Sequence, residues 1–505
     1  MRELFVFNKT VIGQKHIDSN SICEDFSSSF SAEDCPFRII AVADGHGDSA
    51  CFRSNLGSKF AVETIIDCFK EFAKDATDVE SYLYCALANR DRHKSVLSQL
   101  AVAIISKWYD KVQADICRSP FIEEDFSNAG DYKDFYSNNE KLTHIYGTTL
   151  IACLWLKDYI ILLQQGDGRC DVFYDDGSVD QPIPWDERCQ GNITTSMCDE
   201  DAAESMRWAV LDLKEKNVIA CFLGSDGVED SFRNSEVSQE GTHYFFRKLC
   251  CTFIDKEDIN IEEYLDSYLR EVSAAGSQDD VSVAGILNLD ALKVHRNLYQ
   301  KAMDRYILDV QREMIDFKIV SMTRKHGTLQ KHVEKYKAAI DAKELSYKEC
   351  ETLVRNKDKE LNLLKVTIAE KENELVEREI EHRQIVKLIE AKEENEMDND
   401  EFYTKMKRLS SGNFGTQVKD MMLSWFDNDK RNLKELSAKM IVLEKGLNKV
   451  QDEKAQLESE IAALTEDYQN ALSEFNEYDE KYSGLIKEKE RIELEMNELI
   501  DVPCE

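Results

Sequence analysis

The chain is 505 residues long and carries 98 acidic against 64 basic side chains, a formal net charge of −34. That length exceeds one ordinary core and implies two to four units, and the charge repels a phosphate backbone, which argues against nucleic acid as a partner. No apolar run approaches the ~18 residues of a membrane span, and the first residues lack a basic segment followed by an apolar stretch, so a soluble, cytoplasmic protein with no membrane partner is expected.

From residue 37 to 43 a short apolar run reads as a buried strand, stopped by Asp44-Gly45. Residues 56 to 72 carry apolar positions at helical spacing, and 79 to 116 continue them through Leu83, Leu87, Val102, Ile105 and Trp108. Residues 118 to 143 are acidic and aromatic without a period and read as a loop or insertion. Two apolar runs, 149 to 156 and 159 to 164, meet at Lys157-Asp158 as a hairpin, and the second stops at Gly166-Asp167-Gly168. A strand over 170 to 174 leads into the turn Asp175-Asp176-Gly177-Ser178. The run 218 to 223 ends in Gly224-Ser225-Asp226-Gly227, and 281 to 289 starts directly after Asp279-Asp280. Fifteen cysteines are scattered without a Cys-x-x-Cys or a His-paired spacing. They read as small core residues, the vicinal Cys250 and Cys251 included.

Beyond residue 289 the chain turns Glu-, Lys- and Leu-rich, with Pro503 its only proline after Pro184. Alternate steps of four and three from Leu443 to Leu499 meet apolar side chains at fifteen of seventeen positions, the seam of a coiled coil. An earlier arm over 353 to 389 holds Leu361, Leu364, Ile368, Leu375, Ile385 and Ile389 on a less regular stripe. Between the arms, Ser410-Ser411-Gly412-Asn413-Phe414-Gly415 breaks the heptads. The arms either fold back as an antiparallel hairpin or each pair in parallel with a second chain. The expected divisions are a globular domain over 1–290, a helical linker and first arm over 291–395, a heptad break over 396–432 and a second arm over 433–505.

The globular strands share one feature, an acid at one of their ends. Asp44, Asp167 and Asp226 follow strands, Asp279 precedes one, and Glu24-Asp25 lies upstream. A lone Asp-Gly after a strand is ordinarily a turn signal, because glycine permits positive φ and aspartate caps the backbone. Brought together in one core, however, such carboxylates repel one another unless cations neutralise them. Oxygen-only donors favour hard ions, so Mg2+ or Mn2+ fits and zinc does not.

The ordered motifs Glu24-Asp25, Asp44-Gly45-His46-Gly47, Tyr146-Gly147-Thr148-Thr149-Leu150, Gly166-Asp167-Gly168, Gly224-Ser225-Asp226-Gly227 and Gly276-Ser277-Gln278-Asp279-Asp280 resemble the PPM family, the type 2C metal-dependent protein phosphatases. The resemblance implies an α+β fold, a pair of central sheets flanked by helices (an α/β/β/α sandwich), followed here by the all-α coiled-coil region. It implies two metals at one sheet edge, with Asp44 bridging, Glu24 and the Gly45 carbonyl completing one site, and Asp226 and Asp279 binding the other. Asp167 matches the position that helps hold a weaker third ion. A water activated between the cations would attack the phosphorus of phosphoserine or phosphothreonine, and His46 matches the acid for the leaving alkoxide. Many family members grip the substrate phosphate with an arginine four residues before the metal-binding glutamate, but this chain has Asn20 there, leaving His16, Lys15, another basic residue or the metals alone for that task. Gly13-x-x-His16 and Gly166-Asp167-Gly168-Arg169 look more like the divergent bacterial branch. The implied partners are a phosphoprotein substrate, the Ser/Thr kinase that opposes the enzyme, and a helical partner or second copy for the tail. In a different class, the domain is an inactive scaffold that binds a kinase or phosphoprotein without turnover. A purely structural coiled coil with an unrelated head leaves the acidic motifs unexplained.

Overall fold

The computed structural model describes residues 4–189, 193–232, 238–256, 260–393, 398–409 and 417–500. The chain divides into two compact units, one made of Met1–Asp316 with Lys489–Glu505, the other of Phe317–Glu488.

In the first unit the strands are β1 Phe5–Val11, β2 Phe26–Phe30, β3 Arg38–Ala43, β4 Leu150–Trp155, β5 Tyr159–Gln165, β6 Arg169–Tyr174, β7 Val179–Asp180, β8 Arg207–Asp212, β9 Val218–Gly224 and β10 Val281–Leu287. They form two five-stranded sheets, ordered β1-β10-β9-β6-β7 and β2-β3-β4-β5-β8, and every pairing is antiparallel. The expected hairpin is β4–β5, in register from Leu150 against Gln165 to Trp155 against Ile160. Three strands, β1, β2 and β7, carry no apolar run of strand length, and with β8, whose short run Trp208-Ala209-Val210-Leu211 is only half-buried, they are the four sheet edges. An edge strand buries less of itself, so Phe-Ser-Ser-Ser-Phe of β2 leaves no hydrophobic signature.

The helices are α1 Gln14–Ser19, α2 Ser54–Ala76, α3 Tyr82–Leu87, α4 Arg90–Arg118, α5 Lys133–Ser137, α6 Ala202–Ser205, α7 Asp226–Asp230, α8 Ser238–Asp255, α9 Ile261–Ala275, α10 Leu289–Val294, α11 Arg296–Glu393, α12 Asn399–Leu409 and α13 Gln417–Ile500. Strand parity sorts the core into three layers. On β3, Ile40 and Val42 face Cys221, Leu223, Ala284 and Ile286 of the other sheet, while Ile39, Ala41 and Ala43 pack with Ile65, Phe69, Ile104 and Trp108 of α2 and α4. On β9, Phe222 turns outward to Phe245, Phe246 and Leu249 of α8. Cys250 and Cys251 are buried on α8, as small core residues should be.

Two sequence readings need correction. The helical run over 79 to 116 is two helices, parted where Asn89 caps α4 by accepting from the Asp91 amide at 3.0 Å. The segment 118 to 143 is not a free loop: it winds through two 3-10 turns and α5, and its Tyr136 is fully buried, donating to the Ala50 carbonyl at 3.1 Å.

Within the second unit α11 and α13 run antiparallel. His326 meets Asp479 at 2.7 Å, Lys343 meets Glu460 at 2.6 Å, Lys365 meets Glu444 at 3.5 Å and Lys430 meets Glu379 at 3.8 Å. As the first helix advances its partner recedes, so the seam is closed by the chain's own arm, the hairpin of the two designs. Leu329, Leu361, Ile368, Ile385 and Leu447 are buried in this unit among the described residues. The second arm starts at Gln417, before the heptads begin, and the Ser410 to Gly415 break lies outside the described residues.

Candidate active site

Antiparallel pairing of neighbouring strands brings the acidic ends to one edge. Asp44 directly follows β3, whose last turn is fixed by a Thr148–Thr149 clamp: the Thr149 hydroxyl accepts from the Asp44 amide at 3.0 Å, and the Thr148 hydroxyl donates to the Asp44 carbonyl at 2.8 Å. This is what the Tyr-Gly-Thr-Thr-Leu element does. Asp226 opens α7 immediately beyond β9, and Gly227 beside it is forced by contact, since a Cβ there would lie 2.0 Å from the Asp280 carbonyl oxygen. Gly166 sits at φ +101°, a left-handed conformation that turns the chain from β5 into Asp167.

Asp44 and Asp226 act on each other's ionisation, and two carboxylates that do so need a proton or a cation between them. Burial, then the charges of Asp226 and Asp25, pushes Asp44 well above the usual carboxylate range. Asp226 is pushed up to about 6, first by burial, with Asp167, Asp230 and Asp279 adding repulsion. Burial raises Glu24 to about 7 against the pull of His16 and a Ser54 hydrogen bond. Asp167 is raised by burial and eased by a Thr194 hydrogen bond. Asp25, in the sequence only a neighbour of Glu24, belongs to the same cluster: it is 6% exposed, is raised by burial and by Asp280 and Asp226, and its Oδ2 has no hydrogen-bond partner.

Asp280 is a second residue whose role the sequence did not reveal. It is 3% exposed and accepts from the Gly13 amide at 2.7 Å, the Glu24 amide at 2.6 Å and the His16 ring at 2.9 Å. One carboxylate thereby ties the segment holding Glu24 to the start of β10, and the Ser58 hydroxyl fixes the Glu24 carbonyl at 2.5 Å. His16 is committed to this knot, with its other ring nitrogen 3.7 Å from Glu24. The paired acids Asp279 and Asp280 were a signal, because only one of them was needed as an edge ligand.

His46 is not drawn into the acid cluster. Its ring lies against Gly147, and the charges it feels are those of His144 and Asp48. Burial and His144 pull it down to about 4, so at neutral pH it is an uncharged imidazole. Asn20 adopts a left-handed conformation at the end of α1, φ 55°, where it terminates the helix.

Oxygen-only donors, mutual repulsion and the orphaned Asp25 oxygen fit a hard divalent cation. Among the described residues no three His, Cys, Asp or Glu side chains converge at ligand distance. No helix among them is long and apolar enough to cross a membrane.

The profile of the family Protein phosphatase 2C matches residues 12–270. Solved structures similar to this chain include the serine/threonine phosphatase Stp1 of Staphylococcus aureus (17% identity, TM-score 0.34, covering 57% of this chain and 95% of that one). The serine/threonine phosphatase of S. agalactiae is 17% identical at TM-score 0.34, over 56% and 99%. The catalytic domain of the phosphatase PstP, a complex with two manganese ions, is 15% identical at TM-score 0.32, over 56% and 97%. No curated protein matches the chain. With its profile spanning half the chain and its motifs gathered at one edge of two packed antiparallel sheets, this protein belongs to the protein phosphatase 2C family.

Proposed function

We propose that the first unit hydrolyses phosphoserine and phosphothreonine in proteins, using two Mg2+ or Mn2+ ions. Glu24, Asp44, the Gly45 carbonyl, Asp226 and Asp279 are the assigned ligands, with Asp167 for a third ion. The ions, when bound, supply Lewis-acid activation of water and neutralise phosphoryl charge. The chain's own contribution is to hold the acids at one edge: the Thr148–Thr149 clamp sets Asp44, α7 presents Asp226, and Asp280 sets Glu24. The single observation that carries the reading is the acid cluster at this edge, where buried Asp25 keeps a carboxylate oxygen without a partner beside Asp44 and Asp226, an arrangement that costs stability and that a cation would relieve. His46, neutral by burial, is assigned a hydrogen-bond donor's role toward the leaving oxygen. The helical tail is assigned to partner binding.

A second reading, an inactive phosphoprotein- or kinase-binding scaffold, is favoured by the lack of three converged donors among the described residues and by Asn20 in place of the phosphate-gripping arginine. Manganese-dependent hydrolysis of an aryl phosphate and of phosphothreonine peptides separates the two. Turnover that falls at least ~100-fold in Asp44→Asn and Asp226→Asn supports the enzyme. Turnover surviving both changes removes the metal assignment, and binding of phosphopeptide without turnover supports the scaffold.

A further inference from the structure

Beside Gly166-Asp167-Gly168, on the flank away from β10, lies a cavity of about 150 Å3 lined by Gln164, Arg169, Gln181, Trp185 and Arg207 among others. No carboxylate is among its described lining residues, in a chain of net charge −34. Arg169 holds Glu229 through two bonds of 2.6 and 2.7 Å and lies 4.0 Å from the centre of the Trp185 ring, which leaves its Nη1 over. Arg207 donates to the carbonyls of Gly166 and Pro184, while its Nε is buried without a hydrogen-bond partner. The nearest carboxylate to that nitrogen, Asp186, is 4.0 Å away and is already held by Arg188 at 2.8 Å. A buried guanidinium N–H with no acceptor leaves the charge of Arg207 uncompensated at the cavity wall, and that charge favours an oxyanion in the cavity. Two guanidiniums converging beside an aromatic ring favour phosphate or carboxylate over a neutral group.

We propose that this cavity takes a second oxyanion of the substrate, borne by a neighbouring residue of the same phosphopeptide, so that the preferred substrates are doubly acidic. The inference rests on the phosphatase reading, and it supplies a cationic contact where Asn20 removes the usual one. The cavity borders Asp167, whose charge is felt by both arginines, so the second group lies to one side of the acid cluster.

The test measures equilibrium binding of fluorescent peptides that carry a non-hydrolysable phosphonate in place of the scissile phosphothreonine. One peptide has no further acid, a second adds phosphoserine and a third adds glutamate, at spacings of one to four residues. Tighter binding by at least tenfold is expected for an added acid at one spacing, and the phosphoserine and glutamate arms tell which oxyanion is read. In Arg207→Gln that gain falls below twofold, and Arg207→Lys regains part of it. Should Arg207→Gln melt far below the native chain, Trp185→Ala, at a position 45% exposed, carries the test with an expected severalfold loss of the gain. Equal binding of the three peptides by the native chain overturns the proposal, as does a gain that survives Arg207→Gln or Trp185→Ala in a folded variant. Because binding is read without turnover, an inactive domain that still shows the gain fails the enzymatic reading while leaving the cavity's role standing.

Discussion

At the scale of single residues, the buried Asp280 and the half-buried Asp226 do opposite things with a charge. Asp280 is compensated by two amides and an imidazole, so Asp280→Ala orphans three donors at once. We expect a loss of about 3 kcal/mol in denaturant unfolding, with Asp280→Asn costing less than half of that because it keeps an acceptor and sheds charge beside Asp25. Asp226 is eased only by Asp44, while burial and its other acidic neighbours act against its charge. Its native pKa of about 6 exceeds the ordinary 3.8, so the native state holds a proton that the unfolded state releases. Stability therefore falls as pH rises from about 4 to about 6 and the penalty is complete above that, at most about 3 kcal/mol. Metal-free Asp226→Asn is expected to melt above the native chain at pH 8, and Mn2+ to raise the native melting point far more than the variant's. A native chain that melts equally well at pH 4 and pH 8 without metal overturns this account of the cluster.

At the scale of elements, the start of α11 is part of the globular core. Tyr299 is 1% exposed and packs edge-on against Phe173 of β6 at 5.5 Å between ring centres, yet its hydroxyl has no hydrogen-bond partner. Tyr299→Ala is expected to cost about 3 to 5 kcal/mol, whereas Tyr299→Phe, which deletes only the unpaired hydroxyl, is expected to leave stability equal or higher by calorimetry. The same element logic explains which strands were legible. β3, β4, β5, β6, β9 and β10 announce themselves as apolar runs because sheets or helices cover both of their faces, while the edges β1, β2 and β7 do not. Tyr136 shows the limit from the other side: one buried aromatic anchors an acidic stretch whose composition reads as loop.

At the scale of the whole molecule, the antiparallel hairpin makes a direct forecast. Cysteines placed at His326 and Asp479 are expected to cross-link within one chain, giving a faster-migrating monomer band on non-reducing gels that neither single variant shows. A cross-linked dimer band in its place supports parallel pairing of two chains.

The sequence by itself determined the family, the sandwich of strands and helices and the heptad seam, because these rest on local order: apolar runs of strand length, acids at strand ends and a seven-residue period. It also named Glu24, Asp44, Asp167 and Asp226, which the fold gathers at one edge. Only the tertiary structure decided that His16 is bound to Asp280, that His46 lies against Gly147, that Asp25 joins the acids and that the Nε of Arg207 is left without an acceptor. It also decided that the seam's partner is the chain's own first arm. Each of these depends on which residues distant in sequence come into contact, and spacing along the chain carries no record of that.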